Sequence, residues 1–168
     1  HLRIMANEKQ QFVDELKALL QKNVAEVKEQ VEQIKTQFYR QYHQDLEAQK
    51  QAAEAAGEPV ENWVPQADET EQEFRELLTQ YKQKKAELLK KAEEEQAQNL
   101  LRKENILQQM KEMAEAETAD VMDNIKKMKE LQAEWKTIGA VHPTKAQEIW
   151  KTYQQYQEQF YDLVKINI

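Results

Sequence analysis

Cysteine is absent from this chain. That excludes a disulfide framework, a thiolate metal site and a thiol nucleophile, and it leaves the redox compartment open. Glycine occurs only at Gly57 and Gly139, so no glycine-rich loop can cradle a phosphate. No window approaches the ~18 consecutive apolar residues of a membrane-spanning helix. The opening HLRIMANEKQQ lacks the apolar core of a signal peptide. Histidine is limited to His1, His43 and His142, none of them spaced as a helical ligand pair. Neither a metal site nor a catalytic site is expected, and no small-molecule substrate or cofactor is indicated. Carboxylates are abundant, but no apolar pocket is indicated that would shift one of them into acid–base range. The expectation is a non-enzymatic, cytoplasmic protein that does not engage a membrane.

What is present is helix-forming material. Charged residues make up 33% of the 168, the hydrophobic set makes up 40%, and the formal net charge is -7. Ala, Glu, Lys, Leu and Gln fit a helix at little cost. The acidic balance favours solubility and weighs against general affinity for nucleic acid. Every Gly and Pro falls in one of two breaks, Gly57 to Pro65 and Gly139 to Pro143. Glycine past a helix end, followed by proline, is a stop signal, because glycine takes the left-handed conformation cheaply and proline cannot continue the helix.

Between the breaks the apolar spacing predicts four helices. The first runs from about Asn7 to Ala56, with Leu20, Val24, Val27, Val31, Ile34 and Phe38 alternating steps of four and three as a heptad seam. The second starts near Thr70, where Thr70 and Glu73 fit a capping box, and continues to about Ala116. The third is capped by Thr118 and ends at Ile138, with Gly139 in a positive φ. The fourth starts at Thr144, with Gln147 completing a second capping box. The fold class is therefore all-α: a long antiparallel, coiled-coil-like helical hairpin that continues into a three-helix unit. The hairpin region is assigned to residues 1–99 with a loop at 57–69, and the three-helix unit to 100–168. The start at His1 suggests either that residues 1–5 are not native or that the chain is cut from a longer protein, and the stop inside a helical run at Ile168 suggests truncation.

Several side chains invite a functional reading beside a structural one. Trp135 and Trp150 flank the Gly139 turn and are expected to close the bend as a core pair, with a groove for a partner helix as the alternative. Trp63, in a proline-bearing loop, either plugs the hairpin end or stands exposed as a docking anchor. Lysine stretches that include Lys84, Lys85, Lys126 and Lys127 read first as charged helix faces. The alternative is a basic stripe for a phosphate backbone.

The stretch LQAEWKTIGAVHPTKAQEIWKTYQQYQEQFYDLVKIN, residues 131–167, resembles the bacterial repeat family called domain of unknown function 349. The residues that carry the likeness are Leu131, Trp135, Ile138, Gly139, Pro143, Trp150, Tyr153, Phe160 and Tyr161. The upstream EAAGEPVENWVPQADETEQEF resembles the region that precedes a repeat in long Bacteroidetes members. The resemblance implies a multi-repeat helical protein of which this chain is a piece, and it supplies no activity and no catalytic residues. Taken together, the expected role is a structural or protein-interaction module of a larger helical repeat protein. Its partners would be a protein or neighbouring repeats of the same chain. Nucleic-acid binding, RNA or DNA, through the lysine faces is the alternative.

Overall fold

The computed structural model describes residues 2–116 and 120–167, with side chains from Glu8 onward apart from that of Val60. Five α-helices and two short 3₁₀ turns account for the ordered elements, and no strand occurs among the described residues. The helices are α1 (Leu2–Leu20), α2 (Lys28–Ala55), α3 (Glu69–Ala114), α4 (Val121–Thr137) and α5 (Pro143–Ile166). Two compact units divide the chain, residues 1–88 and 89–168, and α3 contributes residues to both.

In the first unit the long first helix of the sequence reading is two helices. The break at residues 21–27 contains neither Gly nor Pro. The amides of Gln21 and Lys22 reach back three residues to Ala18 and Leu19 (3.2 and 3.1 Å), which tightens and ends α1. Asn23 then takes an extended conformation, and its side-chain oxygen accepts from the amide of Ala25, starting a 3₁₀ turn over Val24–Glu26. The reason is burial. A straight helix would hold the seam in water, at roughly 25 cal/mol per Å² of apolar area, whereas the turn costs only tenths of a kcal/mol per residue in propensity. Folded back, Val13, Leu16, Leu20, Val24, Val27, Val31, Ile34 and Phe38 share one core with Phe74, Leu77 and Tyr81 of α3. Contacts set the directions. Lys9 near the start of α1 meets Asp45 late in α2 and Asp68 just before α3. The Lys84 ammonium of α3 reaches the carbonyl of Leu20 at the end of α1. So α2 runs antiparallel to both α1 and α3, and α2–α3 is the hairpin read from the sequence, with α1 laid along it.

Gly57 ends α2 with φ +81°, and the amides of Gly57 and Glu58 close onto the carbonyls of Glu54 and Ala53. That left-handed closure is the stop signal read from the sequence. The α3 cap is not Thr70. Asp68 supplies it, with one carboxylate oxygen accepting from the amides of Thr70 and Glu71 (3.0 and 3.2 Å). A carboxylate accepts two such bonds at the positive end of the helix dipole better than a hydroxyl does.

The second unit packs the later part of α3 against α4 and α5. Its core holds Ile106, Met110, Met128, Leu131, Trp135, Ile138, Val141, Ile149, Tyr153 and Phe160. Asp120 caps α4, accepting from the amides of Met122 and Asp123. Thr118, the expected cap, lies outside the described residues. His142, not Thr144, caps α5: its Nδ1 accepts from the Thr144 amide at 3.2 Å, with Pro143 in the first turn, where a missing N–H costs nothing.

The positive φ expected at Gly139 is not there; among the described residues Gly57 alone has one. Helix α4 ends instead because Ile138 turns to an extended conformation (φ -83°, ψ 133°) and buries its side chain beside that of Val141. Gly139 is small for a different reason. A Cβ there would stand 3.0 Å from the Asn99 side-chain nitrogen, which donates to the carbonyl of Ala140 at 2.8 Å.

Candidate functional site

The aromatic motif resolves into a graded ladder. Trp135, on the inner face of α4, is buried, and its ring centroid lies 4.5 Å from that of Tyr153 on α5. Tyr153 is buried as well, and burial, with a smaller contribution from Tyr161, pushes its phenol above the ordinary pKa. On the outer side of Tyr153 the ring of Trp150 stacks at 5.1 Å and 11°. Trp150 is 47% exposed. The core pair expected of Trp135 and Trp150 is therefore corrected: Tyr153 stands between them, and Trp150 is the outermost ring. The spacing explains it. On α5 the stripe Ile149, Tyr153, Phe160 faces the core, and position 150 lies about 100° round the helix from 149. The ammonium of Lys103 sits 4.9 Å from the centre of the Trp135 ring, a cation–π contact from α3.

The other motif residues divide in the same way. Leu131, Ile138 and Phe160 are buried; Tyr161 is half-buried, and its hydroxyl accepts from the Gln132 side-chain amide at 3.4 Å. Pro143 is exposed in the first turn of α5. Where α3, α4 and α5 meet at the other end of the unit, Ala116, Val121, Asn124, Phe160, Leu163, Val164 and Asn167 line a cavity of about 30 Å³. Beside it in sequence, Met122 and Ile166 stand almost wholly exposed.

The lysines singled out in the sequence have different fates. Lys84 is part-buried, with its ammonium on the Leu20 carbonyl at 2.9 Å, where it caps the end of α1. Lys85 lies over the ring of Tyr81 at 5.3 Å. Lys126 and Lys127 are exposed on α4. Trp63 is half-buried and its neighbour Val64 is exposed.

One charged site lies outside the residues that the sequence motifs single out. Lys9 and Asp45 are the charged residues buried among those described. The Lys9 ammonium lies 2.8 Å from Asp45 and 2.7 Å from Asp68. Asp45 also accepts from the Gln41 side-chain amide at 3.0 Å, and Asp68 spends its other oxygen on the α3 cap. Burial works against the charged ammonium, but the hydrogen bonds to Asp45 and Asp68 outweigh it and hold the Lys9 pKa above its ordinary value. Burial likewise pushes the Asp68 carboxyl up, but the Lys9 bond and the Glu71 and Thr70 amides pull it below the usual carboxylate range. One cation thus joins the first half of α1, the second half of α2 and the cap of α3. The signal was in the spacing: Lys9, Val13 and Leu16 share a stripe, as do Phe38 and Asp45. A charge on an apolar stripe needs an opposite charge facing it. Beside this node, Phe38 and Phe74 stack at 4.0 Å, and the Tyr39 hydroxyl donates to Glu71, which also pairs with Arg75.

No group of three or more His, Asp or Glu side chains among the described residues is arranged to hold a metal ion. Nor is any helix among them long and apolar enough to cross a membrane. No curated protein and no solved structure matches the chain. The family model described as Domain of Unknown Function (DUF349) matches residues 69–143. That interval spans α3, α4 and the turn to Pro143, so it contains Leu131, Trp135, Ile138 and Gly139, while Trp150, Tyr153, Phe160 and Tyr161 lie beyond it. Over this stretch, a little under half of the chain, the sequence is similar to the DUF349 family.

Proposed function

We propose that this chain is a non-enzymatic, cytoplasmic interaction module of a larger helical repeat protein. In this reading the Trp150 side of α5 is the surface that meets a protein partner or a neighbouring repeat. The observation that carries the proposal is the half-exposed Trp150 ring, held flat against buried Tyr153. A rigid aromatic backed by a packed core loses little conformational freedom on binding, and tryptophan is enriched among residues that dominate interface energy. Met122 and Ile166, also exposed, extend apolar surface at the far end of the same unit.

The test compares the wild-type chain with Trp150→Ala, within the full-length parent, by cross-linking and mass spectrometry in the host. The variant should fold normally and lose the cross-links that map to α5. Undiminished α5 cross-links in a folded variant would refute the assignment of Trp150. A salt-dependent mobility shift with RNA and DNA checks the lysine faces separately, and Lys126→Glu with Lys127→Glu should leave it unchanged.

A further inference from the structure

The seam of the first unit does not stop at the turn between α1 and α2. Lys9, Val13, Leu16, Leu20, Val24, Val27, Val31, Ile34, Phe38 and Asp45 are all buried, and their spacing stays close to alternating threes and fours straight through residues 21–27. On a straight helix these side chains would fall along one face. The turn itself contains no Gly or Pro, and no residue in it has a positive φ. Every residue from Gln21 to Val27 can therefore enter a helix without steric penalty. What holds the turn is the Asn23 side chain on the Ala25 amide, and the collapse of the seam upon itself.

The pairing across the hairpin has a second property. Lys9 and Asp45, which bond at 2.8 Å, are equidistant along the chain from Val27. Two straightened α1–α2 helices laid antiparallel about a two-fold axis at Val27 would bring Lys9 of each copy to Asp45 of the other. The node and the seam would then be remade between chains with the same partners, while the Leu20 carbonyl, capped by Lys84 in the folded-back state, would accept from the Val24 amide within the continuous helix. The exchange trades most of one set of contacts for an identical set, the condition for domain swapping.

We propose that the first unit has a second state, a two-fold dimer in which α1, the turn and α2 form one continuous helix and α1 packs on α2 and α3 of a second copy of this chain. Asn23 is the residue that biases the choice. It favours the turn through its hydrogen bond to the Ala25 amide and disfavours the straight helix through its low propensity.

The deciding experiment mixes two full-length variants, Lys9→Glu and Asp45→Lys. Alone, each places like charges in the node: three carboxylates in the first, two ammonium groups in the second. In an exchanged heterodimer both nodes regain opposite charges. The new carboxylate of the Lys9→Glu chain faces the new ammonium of the Asp45→Lys chain, and the native Lys9 of the latter faces the native Asp45 of the former. The two chains are unfolded together, refolded at high concentration and read by size-exclusion chromatography with light scattering and native mass spectrometry. A heterodimer containing one of each variant supports the exchange, whether or not either variant folds alone. Recovery of monomers or unfolded chains only, with no heterodimer, overturns it. In the wild-type background, Asn23→Ala should raise the dimer share several-fold. Insertion of Gly-Gly between Lys22 and Asn23 should suppress it, because a longer, flexible hinge relieves the drive to straighten. Equal dimer shares in these two variants would also overturn the proposal.

Discussion

The two units solve the same problem, three helices around one core, with different means of fixing their partners. The first (residues 1–88) puts a charge cluster at one end of its core: Lys9, Asp45 and Asp68 join three elements at once, and Phe38 stacks on Phe74 beside them. The second (residues 89–168) has no charged residue among its described buried ones and relies on Met110, Met128, Trp135, Tyr153 and Phe160. A cluster of ions is satisfied in few geometries, because each misplaced charge loses its partner in a poorly solvated place. An aromatic and methionine core accepts small shifts and fails only when volume is lost. The first unit should therefore respond to charge and pH, the second to side-chain size.

The largest expected effect breaks the second unit. Trp135→Ala removes a buried ring and its contact with Tyr153, and should cost about 3–5 kcal/mol. Denaturant unfolding followed by amide signals of α4 and α5 measures it, and amides of α1 and α2 should be little affected. A loss below about 1 kcal/mol would mean that the core closes without the ring.

Next in size is Lys9→Met, which leaves Asp45 and Asp68 facing each other. About 3 kcal/mol is expected, the lower end for a buried pair, because Asp68 keeps some solvent. Adding Asp45→Leu should restore much of this, whereas changing Asp68 as well would remove the α3 cap. If Lys9→Met alone is neutral, the cluster does not hold the unit together.

The pH dependence sharpens the contrast. The Asp68 pKa is lowered in the folded chain, so its contribution is full above its unfolded value, near 3.8, and is lost as pH falls through the folded value. The Lys9 pKa is raised, so its contribution is full below 10.5 and lost as pH rises through the folded value. Between these limits the cluster should be insensitive to pH. Hydrogen exchange during acidification should show α1 opening before α5, and simultaneous opening of both would remove the distinction.

A smaller effect is expected at Gly139. Gly139→Ala should cost at most about 1 kcal/mol, through the Asn99–Ala140 hydrogen bond that the new methyl crowds. In an Asn99→Ala background the same substitution should be close to neutral, which a double-mutant cycle measures. Equal cost in both backgrounds would point to the backbone. Of similar size, Trp150→Ala should cost about 1 kcal/mol through the lost stacking on Tyr153, well below the cost at Trp135, because half of the ring already faces solvent.

The sequence by itself determined the helical class, the glycine closure at Gly57, the start of α3 within two residues and the burial of Leu131, Trp135 and Phe160. These follow from local periods and end signals that any neighbouring segment leaves intact. The tertiary structure alone decided that the first seam folds at Asn23, because a heptad stripe reads the same whether it pairs with its own continuation or with another helix. It decided that Trp150 faces outward: the spacing puts Trp150 and Tyr153 on adjoining stripes of α5, and the packing of Tyr153 against Trp135 selects which of them faces the core. It also brought together Lys9, Asp45 and Asp68, three charges far apart in the chain whose common burial depends on how three helices meet.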